Sequence, residues 1–310
     1  MRWAATAVAF VVVLDHAEGG TYVLTPFSRP VLHSAVFKND SFENFEDCPG
    51  CLNSGGPERV RERGIANTNG GLISQYGDGE WPLFTAYANG EVCDNGNFFE
   101  RDEIADRHGI CGDPKQFALE GTNAYSGAPG DWSVVRTYQQ GSVMDVKVVI
   151  TEHLWGHLEF FICDVKELRY GAASVPRQEC FNQNPLTRAE GDSINSPIDP
   201  DFPGRYYIDP PCKGGEGIYE DLPEGAPRDA YVINMQYQLP SELFCDHCVL
   251  QMVHYTGATC KHIGYDEFAP DSWPSECAPS KADWIEVDLL MCGMEGFYPE
   301  EFWSCADIAI

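Results

Sequence analysis

Along most of the chain, apolar and polar residues alternate over short runs, and clusters of Gly, Pro, Asn and Asp separate the runs. This spacing belongs to strands, because successive side chains of an extended chain point to opposite faces. The clearest run is 144–151, with Met144, Val146, Val148 and Ile150 on one face and Asp145, Lys147 and Val149 on the other. A short connection, 152–156, leads into 157–163, where Leu158, Phe160 and Ile162 share a side, and the two runs predict a hairpin. Further strands are expected at 133–138, 205–208, 230–239, 249–255 and 284–290. Helical spacing is scarce, and 100–107 is the modest helix candidate. Two stretches read as long loops: 39–69, with its Cys-Pro-Gly-Cys, and 188–217, rich in Pro, Gly and Asp. Short strands between turn residues are the pattern of an all-β sandwich or barrel. No repeat or linker divides the chain, so residues 20–310 are expected to form a single domain.

The first residues change the setting. Arg2, the apolar run 3–14 and a short polar stretch ending at Gly19 read as a signal peptide over 1–19, with cleavage after Ala17 as the alternative. The expected location is therefore extracellular. No later run is long and apolar enough to predict a membrane span. In an exported chain, 13 cysteines read as disulfide partners. The candidates are Cys48, Cys51, Cys93, Cys111, Cys163, Cys180, Cys212, Cys245, Cys248, Cys260, Cys277, Cys292 and Cys305. The odd count leaves at least one without an intrachain partner, and the sequence gives no pairing. The pairs Cys48/Cys51 and Cys245/Cys248 also have the spacing of a four-thiolate zinc site, but export favours disulfides. Asn39-Asp40-Ser41 is a glycosylation sequon. Acidic residues number 48 against 20 basic ones, a net charge of −28, which argues against nucleic-acid or anionic-membrane partners and suits an uncharged polymer.

Several segments, taken in order, carry a resemblance. They are Gly19-Gly20-Thr21-Tyr22-Val23-Leu24-Thr25-Pro26-Phe27-Ser28-Arg29, then Gly109-Ile110-Cys111-Gly112-Asp113-Pro114, then the stretch from Val148 to Cys163. Leu239-Pro240, Cys245-Asp246-His247-Cys248-Val249-Leu250-Gln251 and the ending from Phe302 to Ile310 complete the set. Together they resemble the chitin-binding type-4 domain of lytic polysaccharide monooxygenases, closest to the eukaryotic and invertebrate members. The resemblance implies an immunoglobulin/fibronectin-like β-sandwich with long disulfide-held loops and a flat, exposed copper site. In that family the amine and imidazole of an N-terminal His and a second His hold copper, with an aromatic residue on the axis. The matching positions here are Phe302 for the axial aromatic and His153 for the metal. Glu300 or Glu301 could stand beside such a site, or be surface acid.

This sequence departs from that pattern at both ligands. The family's N-terminal His falls at Gly19, next to Glu18, and His16 reaches the terminus only by cleavage after Asp15. The second His usually stands two residues before the Gly, where this chain has Leu154, with His153 one position earlier. A one-residue slip reverses the face in a regular strand, though not in a turn. His157 reads as a polar-face residue, His254 as a packed core histidine, and His108 replaces a family cysteine. Tyr22, Phe27, Tyr206 and Tyr207 are either structural or in contact with polymer. The first reading is copper-dependent oxidative cleavage of chitin or cellulose by a secreted monomer. The alternative is a non-catalytic carbohydrate-binding or structural protein on the same fold.

Overall fold

The computed structural model describes residues 21–33, 54–55, 111, 132–150, 153–164, 178–194, 196–208, 231–257, 262, 264–265 and 301–310. The described strands are β1 (Thr21–Thr25), β2 (Ser54–Gly55), β3 (Arg136–Thr137), β4 (Val143–Ile150), β5 (His157–Asp164), β6 (Thr187–Arg188), β7 (Tyr206–Tyr207), β8 (Tyr231–Gln238), β9 (Cys248–Tyr255) and β10 (Glu301–Ala309). Two short helices, α1 (Arg29–His33) and α2 (Gln178–Gln183), and a 3-10 turn at Glu190–Ile194 complete the described elements.

The strands make two sheets. One has the order β1-β4-β8-β6, and the other β2-β10-β9-β5-β7 with β3 attached to β10. Pairing is antiparallel except between β10 and β3. The core lies between the sheets. Met144, Val146, Val148 and Ile150 of β4 face Leu158, Phe160 and Ile162 of β5 and Leu250 and Met252 of β9 in one buried cluster. The fold is thus the expected all-β sandwich.

The expected hairpin is not formed. β4 belongs to the first sheet and β5 to the second, and the described residues 153–156 form the end of an arch that leads into β5. Alternation specifies which face a strand must bury, and two facing sheets satisfy that demand as well as two neighbours in one sheet do. The far face of β4 is also less polar than its pattern suggested. Val149 is fully buried there, in a second apolar cluster with Tyr22, Leu24 and Val31 of α1.

β8 and β9 match the expected strands to within a residue at each end, whereas 133–138 and 205–208 shrink to the two-residue β3 and β7. β10 was not expected as a strand. Both its faces are buried: Phe302, Ser304, Ala306 and Ile308 on one side, Trp303, Cys305 and Asp307 on the other, so no alternation is visible. Disulfides join Cys111 to Cys305, Cys163 of β5 to Cys180 of α2, and Cys245 to Cys248, which removes the last pair from any zinc site. The part of the 188–217 loop that is described is organised by the buried Arg188. Its guanidinium donates to Asp192 Oδ2 at 2.7 Å, to the Ser196 carbonyl at 2.6 Å and to the Pro197 carbonyl at 2.9 Å. No helix among the described residues is long and apolar enough to cross a membrane. The expected signal peptide 1–19, the sequon at Asn39, strand 284–290, helix 100–107, His16, His108, Glu300 and the other seven cysteines lie outside the described residues, and so does loop 39–69 except for the two residues of β2.

Candidate functional site

Register brings the sequence-predicted site residues to one end of the sandwich. Thr21 pairs with Ile150 at the start of β1 and the end of β4, while His254 of β9 lies between Leu158 of β5 and Phe302 of β10. The arch residues 153–156 sit above them. The imidazole of His254 stacks on the Phe302 ring, with centroids 5.7 Å apart and planes 28° from parallel. Both side chains are fully buried.

The arch is shaped by two residues with left-handed backbone. Trp155 has φ 53° and Gly156 φ 90°. A side chain at Gly156 would overlap the Tyr255 carbonyl oxygen, so only glycine fits that close approach. For a bulky residue such as Trp155, the left-handed region costs roughly 1–2 kcal/mol, and neighbouring hydrogen bonds must over-determine it. They do. His254 Nε2 donates to the Trp155 carbonyl at 2.8 Å, and the Trp155 N–H donates to His153 Nδ1 at 3.3 Å. The Gly257 N–H also donates to the Leu154 carbonyl at 2.9 Å.

Electrostatics fixes the state of His254. Burial drives its pKa down to about 4, with the nearby His153 adding to the fall and the Trp155 carbonyl opposing it. The ring is therefore neutral at ordinary pH. Because Nε2 carries the proton given to a carbonyl, Nδ1 carries the lone pair and accepts from the Thr21 hydroxyl at 2.8 Å. Both nitrogens are thus used within the protein.

The described residues do not make up the copper site that the resemblance implies. The imidazole placed against Phe302 is that of His254, whose lone pair is taken by Thr21. His153 is half-buried, stands edge-on to Trp155 and uses Nδ1 as an acceptor for the backbone. Among the described residues no group of three or more His, Cys, Asp or Glu side chains is placed to hold a metal ion. Of the four tyrosine and phenylalanine candidates for polymer contact, Tyr22, Tyr206 and Tyr207 are buried and Phe27 is 44% exposed. Phe244, which the sequence reading passed over, is 65% exposed at the opposite end of the sandwich, beside Cys245.

A second polar cluster lies across the same sheet. His157 was expected on a polar face, yet it is 1% exposed. It points away from the core into a layer made by Tyr207, Tyr255, His262 and Tyr265, whose rings lie 5.1–6.0 Å from its own. Its Nδ1 is 2.5 Å from the Tyr265 hydroxyl, and its Nε2 is 3.4 Å from Glu159. Glu159 accepts from Arg205 Nε at 3.2 Å, and Tyr207 donates to Asp199 at 2.7 Å. Burial, the Arg205 charge and the neighbouring imidazoles hold His157 and His262 well below the usual histidine range. Burial raises the Glu159 pKa, with Arg205 opposing.

One pairing escaped the sequence reading although both residues stand in the segments that carried the resemblance. Arg29 Nε and Nη2 donate to the two carboxylate oxygens of Asp307 at 2.7 and 2.8 Å, and His247 Nε2 donates to the same group at 2.7 Å. Arg29 and Asp307 are at most 1% exposed. A buried arginine requires a buried acid, and that requirement was the available signal.

Comparison with known proteins adds the following. Residues 21–308 match the family described as lytic polysaccharide mono-oxygenase, cellulose-degrading. A lytic polysaccharide monooxygenase from Thermobia domestica in its Cu(I) state is 20% identical over 94% of this chain and 98% of that one, with a TM-score of 0.45. A chitin-binding domain from Burkholderia pseudomallei is 12% identical over 94% and 98%, with a TM-score of 0.40. A cellulose-active lytic polysaccharide monooxygenase in complex with copper is 11% identical over 93% and 97%, with a TM-score of 0.37. No curated protein matches.

Proposed function

This chain belongs to the lytic polysaccharide mono-oxygenase family, and from that premise we propose that it acts outside the cell by binding chitin or cellulose, without the usual copper brace. The observation that carries this reading is the state of His254. At the end of the sandwich where the family resemblance places the metal, the imidazole stacked on Phe302 is neutral and is hydrogen-bonded on both nitrogens. A ligand nitrogen must offer its lone pair to the metal, and this one is held by Thr21. The residue types agree, with Gly19 and Leu154 at the two positions where the family has histidines. Phe302 then serves as packing for His254 rather than as an axial group, and His153 serves the arch.

Copper-dependent cleavage is the second reading, favoured by one observation. Thr21, Phe302 and the His153 arch converge, so an amine and imidazole exposed a few residues before Thr21 would arrive at the same end. Copper, when bound in this family, supplies the redox chemistry.

One experiment separates the two. The secreted protein is incubated with chitin and with cellulose, with and without Cu(II) and a reductant, and bound protein and released oligosaccharides are measured. Sedimentation with the polymer that is indifferent to copper, with no oxidised product, supports binding. Oxidised oligosaccharides that require copper and disappear in His153→Ala move the assignment to cleavage.

A further inference from the structure

A cavity of about 210 Å³ lies on the outer face of the second sheet, away from the Phe302 end of the core. Phe161, Leu186, Phe202 and Pro203 give it apolar walls, and Glu159 and Arg205 give it a polar end. Its position follows from local structure. β5 alternates, so Glu159 and Phe161 point outward, and the chain from Pro185 to Arg205 folds back over them through a bridge between Phe161 and Pro185.

The walls are preformed. The Arg205 guanidinium lies 3.6 Å from the centre of the Phe202 ring, and Gly264 meets the edge of that ring so closely that any side chain there would collide with it. Gly204 likewise has no room for a side chain against the Leu186 carbonyl. A mostly apolar pocket with a few convergent, electrostatically perturbed polar groups is how small-molecule sites are built.

We propose that this cavity is a binding site for a small, neutral aromatic molecule carrying a hydroxyl group. The ring follows from the walls, which Phe161, Leu186, Phe202 and Pro203 make apolar. Neutrality follows from the charges. Arg205 is already answered by Glu159 at 3.2 Å, so an anion entering the pocket would meet no unbalanced positive charge. Asp201, exposed where the cavity opens, would repel it further. A cation would lose its hydration against apolar walls whose inner carboxylate, Glu159, is already paired with Arg205. The hydroxyl follows from Glu159, whose carboxylate has acceptor capacity beyond its bond to Arg205. At the packing density of protein interiors, 210 Å³ takes a molecule of roughly ten non-hydrogen atoms.

The test is calorimetric titration of the secreted protein with 2-naphthol and, separately, with 2-naphthoate. The expected result is saturable one-site binding of 2-naphthol and binding of 2-naphthoate at least about tenfold weaker, because its charge is desolvated without a partner. Thr187→Trp, a change at an exposed lining position, should block the cavity and weaken 2-naphthol at least about tenfold with an unchanged melting temperature. Asp201→Trp serves the same purpose if the first variant does not fold. The proposal is overturned by an absence of saturable 2-naphthol binding, by equal affinity in the blocked variants, or by tighter binding of the anion.

Discussion

His254 and His262 are both buried imidazoles kept neutral by burial, yet the sandwich treats them in opposite ways. His254 is bonded on both sides, to the Thr21 hydroxyl and the Trp155 carbonyl, and ties β9 to β1 and to the arch. His262 sits among His157, Tyr255 and Tyr265 with neither nitrogen in a well-formed hydrogen bond, the Thr256 backbone serving only to ease its charged form. A buried polar group that is satisfied holds structure together, while one that is not weakens it by its desolvation cost. His254 is thus a structural clamp, and the outer layer of the second sheet carries the imidazole without such bonds.

The contrast breaks most severely at the clamp's backbone. Gly156→Ala should cost about 3 kcal/mol or more, because the new methyl needs both a positive φ and the space of the Tyr255 carbonyl. Urea unfolding measures this, and a loss under about 1 kcal/mol would show that the arch is not fixed as described. Next in size, His254→Leu should destabilise by roughly 2–3 kcal/mol, since the bonds from the Thr21 hydroxyl and to the Trp155 carbonyl are both removed in a dry site.

Acid should act on both regions. His157, His254 and His262 have folded pKa values below the ordinary 6.5, so between those values and 6.5 the unfolded chain binds more protons. Their contribution is complete above pH 6.5 and is lost as the pH falls toward and through the folded values, which for His254 means a window from 6.5 to about 4. Each imidazole adds a slope of up to about 1.4 kcal/mol per pH unit. Glu159, raised by burial, has the opposite sign, its contribution falling as pH rises through its folded value. Unfolding free energy measured from pH 7 to 5 should therefore fall with acid, and a flat profile would contradict the burial of the imidazoles. The smallest effect is also the sharpest. His262→Phe should be neutral or stabilise by about 1 kcal/mol at pH 7, because it removes unsatisfied nitrogens from an aromatic box. It should also reduce the acid slope by about one proton. A loss comparable to that of His254→Leu would erase the distinction between the two rings.

The faces of β4 and β5 were legible in the sequence because period-two alternation is a property of each strand alone. The disulfide usage and the family segments were legible too, being matters of residue type and order. Which sheet each strand joins was not. β4 and β5 look like a hairpin until the pairing of β5 with β9 places them in different sheets, and β10, buried on both faces, has no alternation to read. At the site, the sequence supplied Phe302 and His153 as candidates, and read His157 as a polar-face residue and His254 as a packed core histidine. Only register across three strands set His254 beside Phe302, opposed it to Thr21, and turned His157 into a second buried layer. The Arg29–Asp307 pair, 278 residues apart in the chain, belongs to the same class. A residue's face follows from its own strand, whereas its partners follow from contacts between distant segments, and those exist only once the sandwich has closed.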